Sequence, residues 1–238
     1  MSRRAILAAV VAVCACMPAP AAAQTTGDLP YLDAVDAWAD GESLRGLLPG
    51  AADRKPRARK PTARQLGTLR FKRTAAGTRS THEAVFALLE PGFDPAALSA
   101  ELDRLTAVAH KGMRGLSGRW SPNNIADVAA YMQLSAYAAF SSKTSLPGRA
   151  VVAVQRSART RMALDRRMRR LSDARAQEAA EMLELRTILR VSDLNVGRLQ
   201  GDAAREQRAR AALRAWIRQS FGLDLDRVRL TRRGFVKR

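Results

Sequence analysis

Cysteine is confined to Cys14 and Cys16, inside an N-terminal apolar run, and histidine to His82 and His110, in separate segments. A mature chain cut after Ala23 therefore holds no disulfide, no thiolate metal site and no cysteine nucleophile. Two distant histidines give no zinc-ligand spacing, although a carboxylate site for calcium or magnesium stays open. Aromatic residues make up 5% of the chain and do not interleave with its arginines, which leaves base stacking little to work with. A serine nucleophile elbow, a P-loop, H-E-x-x-H and a glycine-rich nucleotide fingerprint are all missing, and no cofactor is implied. Beyond the N-terminus, no run approaches the roughly 18 apolar residues that a transmembrane helix needs.

What is present begins with an export pattern. Arg3 and Arg4 precede the apolar run AILAAVVAVCACM, and Ala21, Ala22 and Ala23 stand before Gln24. A positive start, a short apolar core and an A-x-A ending form a bacterial secretory signal peptide over residues 1–23, too short to span a membrane. V-C-A-C ending at Cys16 loosely resembles a lipoprotein box, and lipidation there is the competing reading. The expected destination is periplasmic or secreted.

The net charge is +19, or +17 once Arg3 and Arg4 are set aside. Such an excess suits nucleic acid, but an exported chain meets lipid headgroups and envelope polymers first, so nucleic acid ranks below them. Residues 24–65 read as a flexible linker rich in proline and arginine. Within it, Pro49, Gly50, Pro56 and Pro61 interrupt regular structure, while Arg54, Lys55, Arg57, Arg59, Lys60 and Arg64 form a candidate anion-binding arm.

From about residue 66 to 235 the pattern is an all-α bundle of about five to six helices. THEAVFALLE is stopped by Pro91-Gly92, and Asp94-Pro95 opens a second helix with Leu98, Leu102, Leu105 and Val108 on one stripe. Ser121-Pro122 is expected to cap a third helix, running to about Ser142. Pro147-Gly148 starts a fourth, through the arginine-rich stretch to Leu171. A fifth begins at Ser172-Asp173 and weakens at Gly197, and a sixth stops at Gly222. The tail LDLDRVRLTRRGF alternates apolar and polar residues, as TLRFKR does near residue 70, and the two are expected to pair as a short two-stranded sheet between the domain's ends.

The third helix is apolar almost all round and so belongs at the centre. Asn123, Asp127 and Tyr131 lie along one line of it. Asp127 is a charge on that buried surface, and Gln155, Gln177 and Glu181 repeat the oddity on neighbouring helices. Glu181 has no basic residue four positions away on either side. A buried carboxylate must be paired or hydrogen-bonded. These residues therefore suggest one shared cluster, meeting each other or an arginine. Its first reading is a satisfied network that fixes helix register. The alternative is an open site in which Asp127 and Glu181 act as an acid–base pair of an envelope hydrolase.

PNNIADVAAY, Gln155 ahead of the arginine run, AQEAAE and the ending FGLDLDRVRLTRRGF, with the LRF entry, together resemble an uncharacterised family of exported bacterial proteins, a domain of unknown function, over about residues 66–235. The resemblance implies a mostly helical exported domain and brings no assigned activity or ligand. The expectation is thus a non-catalytic envelope protein that binds an anionic component through its basic linker.

Overall fold

The computed structural model describes residues 60–87, 94–116 and 119–238. Among them are seven α-helices: α1 (Ala63–Gly67), α2 (Ala75–Phe86), α3 (Pro95–Gly115), α4 (Ile125–Phe140), α5 (Gly148–Leu164), α6 (Asp173–Gln200) and α7 (Ala203–Phe221). A 3-10 turn at Met168–Arg170 follows α5, and a hairpin of β1 (Val228–Thr231) and β2 (Gly234–Lys237) closes the chain. The signal-like segment, Trp38 and most of the basic linker lie outside the described residues. Among the described residues, no helix is long and apolar enough to cross a membrane.

Most helix starts are written in their caps. Thr62 and Gln65 form a reciprocal capping box on α1, and the side chains of Thr74, Asp94, Ser172 and Asp202 each accept a first-turn N–H of α2, α3, α6 and α7. Gly201 and Gly222 end α6 and α7 in the left-handed conformation. The fourth expected helix ends early, at Leu164, and only the 3-10 turn continues into the arginine-rich stretch.

Helix α4 is the centre. Every one of its residues is buried, and α5, α6 and α7 all pack on it. Its alanines let those neighbours come close, while Met132, Leu134 and Phe140 fill the space between them. A helix sealed this way cannot leave its end groups to water. At its C-terminal end Arg198 of α6 donates to Ala139 O at 2.7 Å, and Arg210 of α7 donates to Phe140 O at 2.7 Å. Two cations therefore meet the negative end of the helix dipole. Arg210 also lies 3.9 Å from the centroid of the Phe140 ring.

The expected sheet exists at the C-terminus, but its pairing differs. The tail folds on itself, with Val228 opposite Lys237 and Thr231 opposite Gly234. Arg232 and Arg233 make the two-residue turn, Arg233 N donates to Thr231 Oγ1, and Gly234 takes a φ of 93° that a side chain would strain. TLRFKR instead lies against the entry to α4. Phe71 N donates to Asn123 O at 3.1 Å, and Ile125 N donates to Leu69 O at 3.1 Å. Its alternation is real, since Leu69 and Phe71 are buried while Arg70 and Lys72 are exposed. Pattern alone does not choose a strand's partner.

Gly197 does not weaken the end of α6, which runs on to Gln200. It is where α7 crosses: a Cβ there would stand 2.8 Å from Glu206 N, which is backbone and cannot swing aside. Gly197→Ala is therefore expected to cost about 1–3 kcal/mol. Gly67→Ala, where nothing lies within 4 Å, serves as the neutral control. Thermal unfolding reads both, at roughly 2–4 °C per kcal/mol. Equal midpoints for the two variants would refute the close approach.

Candidate functional site

The carboxylate of Asp127 sits at the head of α4. Asn124, rather than Ser121, caps that helix: its Oδ1 accepts from Ala126 N at 3.0 Å and Asp127 N at 3.3 Å. The helix starts at Ile125, so Pro122 precedes it and Asp127 falls within its first turn, one turn earlier than the Ser-Pro signal implies. Pro122 and Asn123 form a turn, with Asn124 N donating to Ser121 O at 3.1 Å, and residues 69–71 bond to the backbone of residues 123–125, so the helix begins at Ile125.

Asp127 is wholly buried. Arg159 of α5 grips it with two bonds, Nε to Oδ1 at 2.7 Å and Nη2 to Oδ2 at 2.7 Å. Gln155, one turn earlier on α5, donates from Nε2 to Oδ1 at 3.1 Å, and Ser121 N donates to Oδ2 at 2.9 Å. Gln155 and Arg159 also both donate to the carbonyl of Arg119. The carboxylate thus accepts four hydrogen bonds, two of them from a planar cation matched to its shape.

A second network lies on the other side of the same entry segment. Glu181 of α6 accepts at Oε1 from Arg73 Nη1 at 3.0 Å, Thr78 Oγ1 at 2.7 Å and Gln177 Nε2 at 2.9 Å. Arg73 Nη2 reaches both oxygens of the buried Glu184 at 3.2 Å and the carbonyl of Pro122 at 3.1 Å. His110 Nε2 of α3 stands 2.9 Å from Glu184 Oε1. Gln177 ties α6 to the start of α2, taking Thr74 N on Oε1 at 3.0 Å and giving Nε2 to Thr74 O at 2.8 Å. One guanidinium therefore faces two carboxylates, with α2, α3, α6 and the α4 entry all attached.

The sequence-selected residues fall into two sets instead of one cluster. Asp127 meets Gln155, and Gln177 meets Glu181, but neither network joins the two carboxylates directly. Asn123 is exposed, and its backbone rather than its side chain takes part, N to Ser121 Oγ and O from Phe71 N. Tyr131 is fully buried within α4. Lys60 and Arg64 are exposed, and Arg54, Lys55, Arg57 and Arg59 lie outside the described residues.

Several partners were not singled out from sequence: Arg73, Arg159, His110, Glu184, Thr74 and Thr78. Two of them carried a local signal. Arg159 is four residues after Gln155 and shares its face, and Glu184 is three after Glu181. Arg73 and His110 gave none, because they arrive from distant segments.

Chemically the arrangement is well suited to holding and poorly suited to turnover. A general acid or base needs an oxygen within reach of a substrate proton. The oxygens of Asp127 are all engaged by protein donors, and both Glu181 and Glu184 are sealed inside.

The model of the Family of unknown function (DUF6683) covers residues 1–238, and the chain belongs to this family. No curated protein and no solved structure matches it.

Removing one partner of a buried pair leaves the other uncompensated, at about 3–5 kcal/mol. Arg159 is partly exposed and can turn to solvent, so Asp127→Asn is expected near the lower end. Arg159→Gln and the double variant complete a cycle whose coupling should exceed about 1 kcal/mol. Chemical denaturation of the four proteins measures it. Strictly additive losses would show that the pair is incidental.

Proposed function

We propose that this chain is an exported, non-catalytic helical domain that attaches to an anionic component of the cell envelope through its basic linker. The observation that carries the reading is the full engagement of Asp127: the charge that looked most like a catalytic group is spent on holding α4, α5 and the residue 119–121 segment together. Glu181 is held through Oε1 alone, by Arg73, Thr78 and Gln177, while its Oε2 is buried without a hydrogen-bond partner among the described residues. A hydrolase using these two carboxylates as acid and base has no comparable support.

Export rests on the signal pattern of residues 1–23, and it places lipid headgroups and acidic polymers within reach instead of nucleic acid. The linker concentrates Arg54, Lys55, Arg57, Arg59, Lys60 and Arg64 into a short stretch. Each basic residue near an anionic surface contributes about 1 kcal/mol, and the attraction fades within a Debye length. Such a tether has affinity without chemical selectivity.

The mature chain is expected to co-sediment with vesicles containing phosphatidylglycerol at low salt, and to be released as salt rises toward about 1 M, where the screening length is near 3 Å. Replacing the six basic residues by glutamine should weaken binding on the order of a hundredfold or more. If the substituted chain binds as well as the original, the tether does not exist.

A further inference from the structure

Between α5, the end of α7 and the C-terminal hairpin lies a cavity of about 560 Å³. Its position follows from the fold: β2 packs on α5, while Gly222 turns the chain out of α7 and back across that helix. The lining combines three kinds of group. Val154 and Phe235 are among its apolar elements, and Arg161, Arg218, Arg233 and Lys237 are among its cations.

The cations are not balanced locally. Two acids, Asp224 and Asp226, reach the cavity, and both have partners of their own. Asp226 is bound by Arg214 at 2.7 Å, and Asp224 accepts from Asp226 N at 3.2 Å and faces Arg227 at 3.7 Å. Among the described residues, none supplies an ion-pair partner to Arg218, Arg233 or Lys237.

The third group is Gln133, which reaches the cavity from the middle of α4. It is only 3% exposed, and its Oε1 has no hydrogen-bond partner. A buried amide oxygen left without a donor costs free energy that nothing in the fold recovers. Oε1 itself is shielded by protein atoms, so a ligand hydroxyl or N–H would satisfy it once the Gln133 amide turned toward the cavity that its side chain lines.

We propose that this cavity is a binding site for a small anionic sugar, its phosphate or carboxylate held by Arg218, Arg233 and Lys237 and a hydroxyl donated to Gln133. Arginine suits either anion through paired N–H groups. The apolar wall accepts the carbon face of a sugar ring, and the volume lies within the range of small-molecule sites. None of the described residues lining the cavity belongs to the linker, and binding there does not depend on the tether.

Calorimetric titration of the mature chain with glucose 6-phosphate, glucuronate, glucose and inorganic phosphate tests it. Saturable binding of glucose 6-phosphate or glucuronate, tighter than inorganic phosphate and absent for glucose, is expected. Which of the two binds assigns the anion as phosphate or carboxylate. Arg218→Gln with Arg233→Gln, both at exposed positions, should weaken that binding at least about tenfold. Gln133→Leu should narrow the gap between glucose 6-phosphate and inorganic phosphate. The exposed pair decides the matter even if the buried variant folds poorly. Binding of no anionic sugar, affinity unchanged in the double variant, or inorganic phosphate binding as tightly as the sugar would each overturn the proposal. Repeating the titration with the glutamine-substituted linker keeps it separate from the tether, since cavity binding should persist there.

Discussion

A carboxylate locked in the protein interior dictates how this domain is put together. Asp127 cannot be taken out of water at the head of a fully buried helix unless donors replace the water it loses. Arg159, Gln155 and Ser121 supply them, and each belongs to a piece of chain that must then stand in one place. The same entry segment is gripped from the other side, where Arg73 binds Pro122 O while holding Glu181 and Glu184. Residues 119–125 are therefore fixed between two charged networks. Replacing such networks with apolar residues often costs a protein nothing in stability. What they add here is register. The alanine surface of α4 has little relief of its own, and a helix of that kind slides easily against its neighbours; a bidentate ion pair does not slide.

The far end of α4 obeys the same rule with the sign reversed. Its last carbonyls lie under α6 and α7, beyond the reach of bulk water, and each of those helices sends one arginine to them. Acid at the N-terminal end and base at the C-terminal end both complement the helix dipole. Elsewhere arginine stems serve as apolar material: Arg186 lies 4.3 Å from the centroid of the Trp216 ring, while the indole N–H is taken by Thr187 at 3.1 Å. A core poor in aromatic residues thus borrows surface from cationic side chains, and the near approach of α7 at Gly197 closes it further.

These features were unequally legible in the sequence. The central position of α4 could be read from apolar residues all round it, and the need for partners could be read from Asp127, Gln155, Gln177 and Glu181. Which partners was not legible. Arg159 lay in a run of arginines, and only its spacing from Gln155 sets it apart. Arg73 is separated from Glu181 by 108 positions, and no periodicity links them. The sequence pointed to Ser121-Pro122 as the cap of α4, and Asn124 caps it instead. Residues 69–71 pair with the backbone of residues 123–125, a tertiary contact that local pattern does not encode. The tail shows the same limit, since alternation marked both segments but the expected pairing between them was wrong: the tail pairs with itself and residues 69–71 pair with residues 123–125.

The net charge of +19 reads differently once the arginines are sorted by what they touch. Arg73, Arg159, Arg198, Arg205 and Arg210 are committed to carboxylates or carbonyls within the fold. Their charge is part of the core and is not offered to a partner. What remains separates by place. A linker charge acts through space, is screened by salt, and distinguishes poorly among anions. A cation on a cavity wall acts over hydrogen-bond distance, beside apolar contacts and an amide oxygen lacking a donor, and shape enters the interaction. On the proposed reading, the linker would keep the chain at an anionic surface and the cavity would choose what it binds there. The unsatisfied oxygen of Gln133 is the sharper clue of the two, because basic residues abound along this chain for many reasons, whereas a bare acceptor inside its most buried helix costs stability unless something comes to fill it.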